Sequence, residues 1–96
     1  MNTHADIKSL RDQVDEINFK ILELLNRRAE IVLQIGENKR HIGRSHAFDA
    51  KREEEIFEYL SKNNMGPFDN KMIENIFRQI LDESTKLQEL IIKLEY

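Results

Sequence analysis

Residues Ile7–Lys39 read IKSLRDQVDEINFKILELLNRRAEIVLQIGENK. Apolar side chains recur at Ile7, Leu10, Val14, Ile17, Ile21, Leu24, Ile31 and Ile35. Spacings of three and four alternate along this stripe, which predicts one face of a long amphipathic helix. One position breaks it: Arg28 stands where the pattern wants an apolar side chain. Lys39 follows eleven residues later, and at 100° per residue it falls only about 20° from Arg28 around the helix. Two cations therefore line one wall. Such side chains rarely bury without a partner, so the stripe implies an anion held between helices, a small carboxylate first of all.

Outward from that stretch, punctuation is scarce. Gly36, Gly43, Gly66 and Pro67 are the only glycines and proline in 96 residues, so long helices are favoured. The first helix is expected from about Asp6 to about His41, with Gly36 permitting close approach of a second helix. The loop His41–Phe48 follows. Asp49 is a good N-cap for a second helix that carries Arg52, Glu53, Ile56, Phe57 and Leu60 on one face and ends near Asn63 and Asn64. Met65-Gly66-Pro67 breaks the chain. Asp69 caps a third helix with the stripe Ile73, Ile76, Phe77, Ile80, Leu81, Ser84, Leu87, Gln88, Ile91 and Leu94. No strand signal is present, so the expected fold is all-α, with one long, one short and one long helix.

A hydrophobic content of 40% suits one small domain, residues 1–96, with a single core. The net charge of -3 argues against nucleic-acid binding, which asks for a basic excess or a clustered basic face. Cysteine is absent, which excludes disulfides and thiolate metal sites. The opening Met-Asn-Thr-His-Ala-Asp lacks the basic start and apolar run of a signal peptide, and no stretch approaches the ~20 apolar residues of a membrane span. A soluble cytoplasmic protein is the expectation. His4, His41 and His46 have no metal-binding spacing and read as solvated.

A first helix of about 35 residues is a rod of roughly 50 Å. A compact chain of this length has a diameter of only roughly 32 Å. The overhanging apolar stripe would be exposed in a monomer, and an exposed patch that long marks an oligomer interface. The prediction is an intertwined homodimer.

All three helices carry polar residues on inward faces: Arg28 and Lys39, then Glu53 with Arg52 beside it, then Ser84 and Gln88. Each has a plain alternative. Arg28 can set register or pair with Glu53, and Lys39 can be a solvated lysine near a helix C-terminus. Glu53 can be a first-turn carboxylate, Ser84 a small residue at a helix crossing, and Gln88 a link between helices. Five such residues on three inward faces point instead to a polar pocket within a helical bundle.

Taken together, Leu10-Arg11, Leu24-Leu25-Asn26-Arg27-Arg28, Ile35-Gly36-Glu37-Asn38-Lys39, Asp49-Ala50-Lys51-Arg52-Glu53 and the pair Ser84 and Gln88 resemble the all-helical class of chorismate mutases. Nearly the whole chain is covered, and the order and spacing of these pieces are specific. Gly66-Pro67-Phe68-Asp69 leading into Ile76-Phe77 resembles the mutase domains fused to a sugar-phosphate synthase at the entry of the shikimate pathway. The loop Arg44-Ser45-His46-Ala47-Phe48 departs from many relatives, which have a proline or tyrosine there.

The resemblance implies an isomerase that rearranges chorismate to prephenate, a pericyclic step without nucleophile, cofactor or metal. It implies that Arg28 clamps one substrate carboxylate, while Lys39 contacts the other and the ether oxygen. Gln88 would donate to that same oxygen. Glu53 and the backbone near Asp49 would hold the ring hydroxyl, Ser84 would assist a carboxylate, and Arg52 would act electrostatically. Arg11 lies seventeen residues before Arg28, roughly 25 Å along the helix and about 100° around it, so one chain cannot bring both to one small ligand. The family lends the equivalent arginine from the other subunit. A shikimate-pathway synthase is a possible further partner.

Rival readings are an isochorismate-pyruvate lyase of the same fold, a non-catalytic prephenate-sensing dimerisation module, and a plain helical interaction module with its inward charges paired to one another. The Asp49–Glu53 motif favours the mutase over the lyase, and the intact polar set argues against a silent module.

Overall fold

The computed structural model describes residues 6–94. The fold is all-α, with helices α1 (Ile7–His41), α2 (Ala50–Asn63) and α3 (Asn70–Ile92) and no strand among the described residues. Each helix starts on an aspartate. Asp6 Oδ1 accepts from the Ser9 N–H at 2.7 Å, Asp49 Oδ1 from Arg52 N–H at 3.0 Å, and Asp69 Oδ1 from Met72 N–H at 2.8 Å. Each carboxylate thereby satisfies a backbone donor that lacks a partner within the helix.

α1 stops at His41 for a local reason. Gly43 takes φ of 80°, and the chain doubles back so that Gly43 N–H donates to Arg40 O at 3.1 Å and Arg44 N–H to Lys39 O at 2.9 Å. This pair of reversed bonds is a Schellman cap, whose left-handed position favours glycine. After α2, Asn64 organises the turn: its Nδ2 donates to Phe68 O and Asn70 Oδ1, both at 2.8 Å, and its Oδ1 accepts from Gly66 N–H at 3.0 Å.

The chain divides after Ile31 into two units. The first is the leading stretch of α1, whose apolar stripe from Ile7 through Ile31 is exposed. The second holds the end of α1 together with α2 and α3, and buries Val32, Ala47 and Leu81. Gly36 is buried there as well, and a Cβ built on it meets Gln88 Cα at 3.4 Å and Ile91 Cβ at 3.5 Å. The close helix approach expected at Gly36 is thus present, between α1 and α3. In this unit α1 buries Val32 and Gly36, one residue around from the long stripe, leaving Ile35 43% exposed. At those distances an alanine would just fit, while a larger side chain would not.

α2 and α3 contribute the expected faces. Glu53, Ile56, Phe57 and Leu60 on α2 are half-buried, as are Ile73, Phe77, Ile80, Ser84, Leu87, Gln88 and Ile91 on α3. His41 and His46 are exposed; His4 lies outside the described residues. No described helix is long and apolar enough to cross a membrane.

Candidate active site

Within the second unit, Lys39 is the hub. Its ammonium donates to Ala47 O and to Gln88 Oε1, both at 2.8 Å. An ammonium only donates, so the Gln88 atom facing it must be the amide oxygen. The Gln88 amide nitrogen is thereby not bonded to Lys39 and remains a donor for something else. Lys39 has three N–H groups, of which two are engaged, leaving one for an anionic oxygen.

Burial lowers the pKa of Lys39 below the ordinary lysine range, and the nearby Arg44 lowers it further, while Asp49 and Glu89 oppose the shift. A desolvated cation with an unspent donor suits a buried carboxylate or a developing oxyanion.

The loop between α1 and α2 is held at Ala47 on both sides of the residue. Its carbonyl accepts a hydrogen bond from the Lys39 ammonium, and its N–H donates to Glu89 Oε1 at 2.7 Å. That N–H holds the Glu89 carboxyl below the usual carboxylate range, with Lys93 and His46 adding to the effect. The stabilisation is therefore present above the ordinary carboxylate range and is lost as pH falls through the lowered folded value.

On α2, Glu53 side-chain Oε1 accepts two hydrogen bonds from Arg78, at 3.0 Å from Nη1 and 2.7 Å from Nη2. Glu53, weighed from sequence as a partner for Arg28, thus has its ion pair with Arg78. Arg78 also lies over Phe57, 5.1 Å from the ring centroid. Ser84 is one turn before Gln88 on α3 and its hydroxyl donates to Ile80 O at 2.7 Å, a back-bond within the helix. Asp49 is half-buried at the N-cap of α2.

Arg52 differs from the inward reading, because its side chain is exposed. It lies about 100° around α2 from Glu53, and its long stem reaches water while Glu53 takes the inward position. Arg11 is exposed and Arg28 half-buried, both in the first unit. The structure thus brings Lys39 and Gln88 into direct contact and gives Glu53 a separate anchor. Two residues were missed in the sequence, Arg78 and Glu89. Arg78 precedes Leu81 by three positions and Glu89 follows Gln88, so both sit at the margin of the α3 stripe, where a charge reads as solvent-facing.

Lys39 of α1, the Ala47 carbonyl and Gln88 of α3 thus form one polar cluster, with Ser84 one turn before Gln88. A family model described as chorismate mutase type II matches residues 10–89, and the chain belongs to that family. It is 34% identical over 90 residues to the bifunctional chorismate mutase/prephenate dehydratase of Aquifex aeolicus, covering 90% of this chain and 25% of that protein. Its counterpart of the same name in Pseudomonas aeruginosa is 28% identical over 93 residues, 93% of this chain and 26% of that protein. The chain therefore spans about a quarter of the length of these curated relatives. The solved structure of the chorismate mutase of Thermus thermophilus in form II superposes with a TM-score of 0.83 at 40% identity, covering 86% of this chain and 93% of that one.

Proposed function

We propose that this chain catalyses the rearrangement of chorismate to prephenate, in the aromatic amino-acid branch of the shikimate pathway and in the cytoplasm. The observation that carries the reading is the contact of Lys39 with Gln88 Oε1 at 2.8 Å. It leaves one ammonium N–H and the Gln88 amide N–H donors to converge on an ether oxygen. As the C–O bond breaks, negative charge grows on that oxygen, and donors already in place stabilise it without reorganising. Arg28 clamps a substrate carboxylate with help from Ser84, Glu53 and the backbone near Asp49 hold the ring hydroxyl, and Arg52 supports the site through its charge. The bound substrate is held in a compact conformer, which removes most of the entropic barrier of a pericyclic step.

The site is completed in a homodimer that lends Arg11 from the other subunit. The exposed stripe from Leu10 to Ile35 supports this, since an apolar face of that length is what a second copy covers. Association with a shikimate-pathway synthase belongs to the same reading and rests on the Gly66-Pro67-Phe68-Asp69 resemblance, beside the fully exposed Met65.

The test is chorismate depletion by the purified protein, with prephenate identified by chromatography and Arg28→Ala as control. Turnover that disappears in the variant is the expected result. A folded dimer without turnover overturns the reading; salicylate formed from isochorismate would then assign the lyase.

A further inference from the structure

We infer that Arg78 is a positioning residue for Glu53: it ties down one carboxylate oxygen so that the other is presented to the substrate. The inference rests on the mutase reading above. Both guanidinium bonds land on the same atom, Glu53 Oε1, at 3.0 and 2.7 Å. Oε2 has no hydrogen-bond partner among the described residues. A carboxylate anchored in this way keeps an acceptor of fixed direction, suited to a ligand hydroxyl.

Two further contacts hold the anchor itself. Phe57 lies one turn after Glu53 on α2, and the guanidinium sits over its ring at 5.1 Å, a favourable cation–π arrangement. Asp82 lies one turn after Arg78 on α3, with its Oδ1 3.9 Å from Arg78 Nε. That Nε is buried and makes no hydrogen bond, so the guanidinium accepts an unsatisfied donor to keep its fork on Glu53. The Glu53 side chain is only 16% exposed, and without Arg78 its charge would be left half-buried and free to turn.

A hydroxyl changes little in charge during the rearrangement, so a contact to it is made equally in ground and transition states. Losing it raises KM and spares kcat. A merely structural arginine would do the reverse, lowering the active fraction and hence apparent kcat with KM unchanged.

The experiment measures kcat and KM for chorismate, with thermal unfolding, in the wild type, Arg78→Ala, Arg78→Gln, Arg78→Lys, Glu53→Gln and the double variant Arg78→Gln/Glu53→Gln. Arg78→Gln is expected to raise KM about tenfold with kcat within about twofold. Arg78→Lys, which keeps a donor and the charge, is expected to recover most of the loss. In the Glu53→Gln background, Arg78→Gln should change KM by less than about twofold. If Arg78→Ala fails to fold, the glutamine and lysine variants carry the test alone. The inference is overturned if Glu53→Gln raises KM while Arg78→Gln does not, or if the two effects multiply in full. Should Glu53→Gln leave an active enzyme unchanged, the role given to Glu53 falls, and this inference with it.

Discussion

Lys39 joins three parts of the chain through one ammonium: its own helix, the loop carbonyl of Ala47 and the Gln88 side chain of α3. Because burial and Arg44 lower its pKa, the folded protein releases this proton at lower pH than the unfolded chain does. Between the two values this group makes stability rise with pH, while the site loses its cation as pH rises through the folded value. The expected profile of kcat/KM is flat across neutral pH, since Gln88 does not titrate, with an alkaline limb beginning below the ordinary lysine range. Arg44→Ala removes a like charge and should move that limb to higher pH. A limb that stays in place would mean that Lys39 does not set it. At this scale the sequence was readable where a polar residue interrupts an apolar stripe, as Lys39, Glu53, Ser84 and Gln88 do. It was not readable for Arg78 or Glu89, whose partners, Glu53 and the Ala47 N–H, come from elsewhere in the chain.

Helix boundaries follow from short-range chemistry. Asp49 and Asp69 cap as their sequence context suggests, and Gly43 closes α1 through its positive φ. Gly36 is the element-level test. A Cβ there would stand 3.4 to 3.5 Å from Gln88 and Ile91, ordinary van der Waals distance, so alanine fits while removing glycine's conformational cost. Gly36→Ala should stabilise the fold by about 0.4–1 kcal/mol in thermal or denaturant unfolding. Gly36→Leu has no room, and should destabilise by about 1–3 kcal/mol while displacing Gln88 and lowering kcat. Equal stability of the two variants would contradict the close approach. Periodicity marks the long apolar stripe of α1, and the glycine-bearing face that packs on α3 lies one residue around from it. Hydrophobicity marks the first, whereas close backbone approach selects the second.

For the molecule as a whole, the exposed stripe of α1 is the main unsatisfied demand. Leu10, Val14, Ile17, Ile21 and Leu24 are each roughly half exposed or more, and a second copy of the chain would cover them. If Arg11 acts across the interface, Arg11→Ala and Arg28→Ala are each nearly inactive alone, but mixing them should recover up to about a quarter of wild-type activity through hybrid dimers with one intact site. Subunit exchange is checked independently by mass spectrometry of differently labelled chains. Absence of recovery despite exchange would reject the shared site. Ile17→Glu, which places a charge on the stripe, should shift the protein to monomer in sedimentation and remove activity with it.

Residue order alone was enough for the all-α class, the three helices with their caps, and the polar residues that interrupt inward faces. Those features are local: they follow from a 3.6-residue period, from aspartates ahead of apolar runs, and from scarce glycine and proline. Packing in three dimensions was needed to select the face of α1 that meets α3, to turn the Gln88 amide oxygen to Lys39, and to bring Arg78 onto Glu53. Pairing between side chains far apart in the chain depends on helix rotation and on which donor arrives at the shorter distance, and neither quantity is encoded in spacing along the sequence.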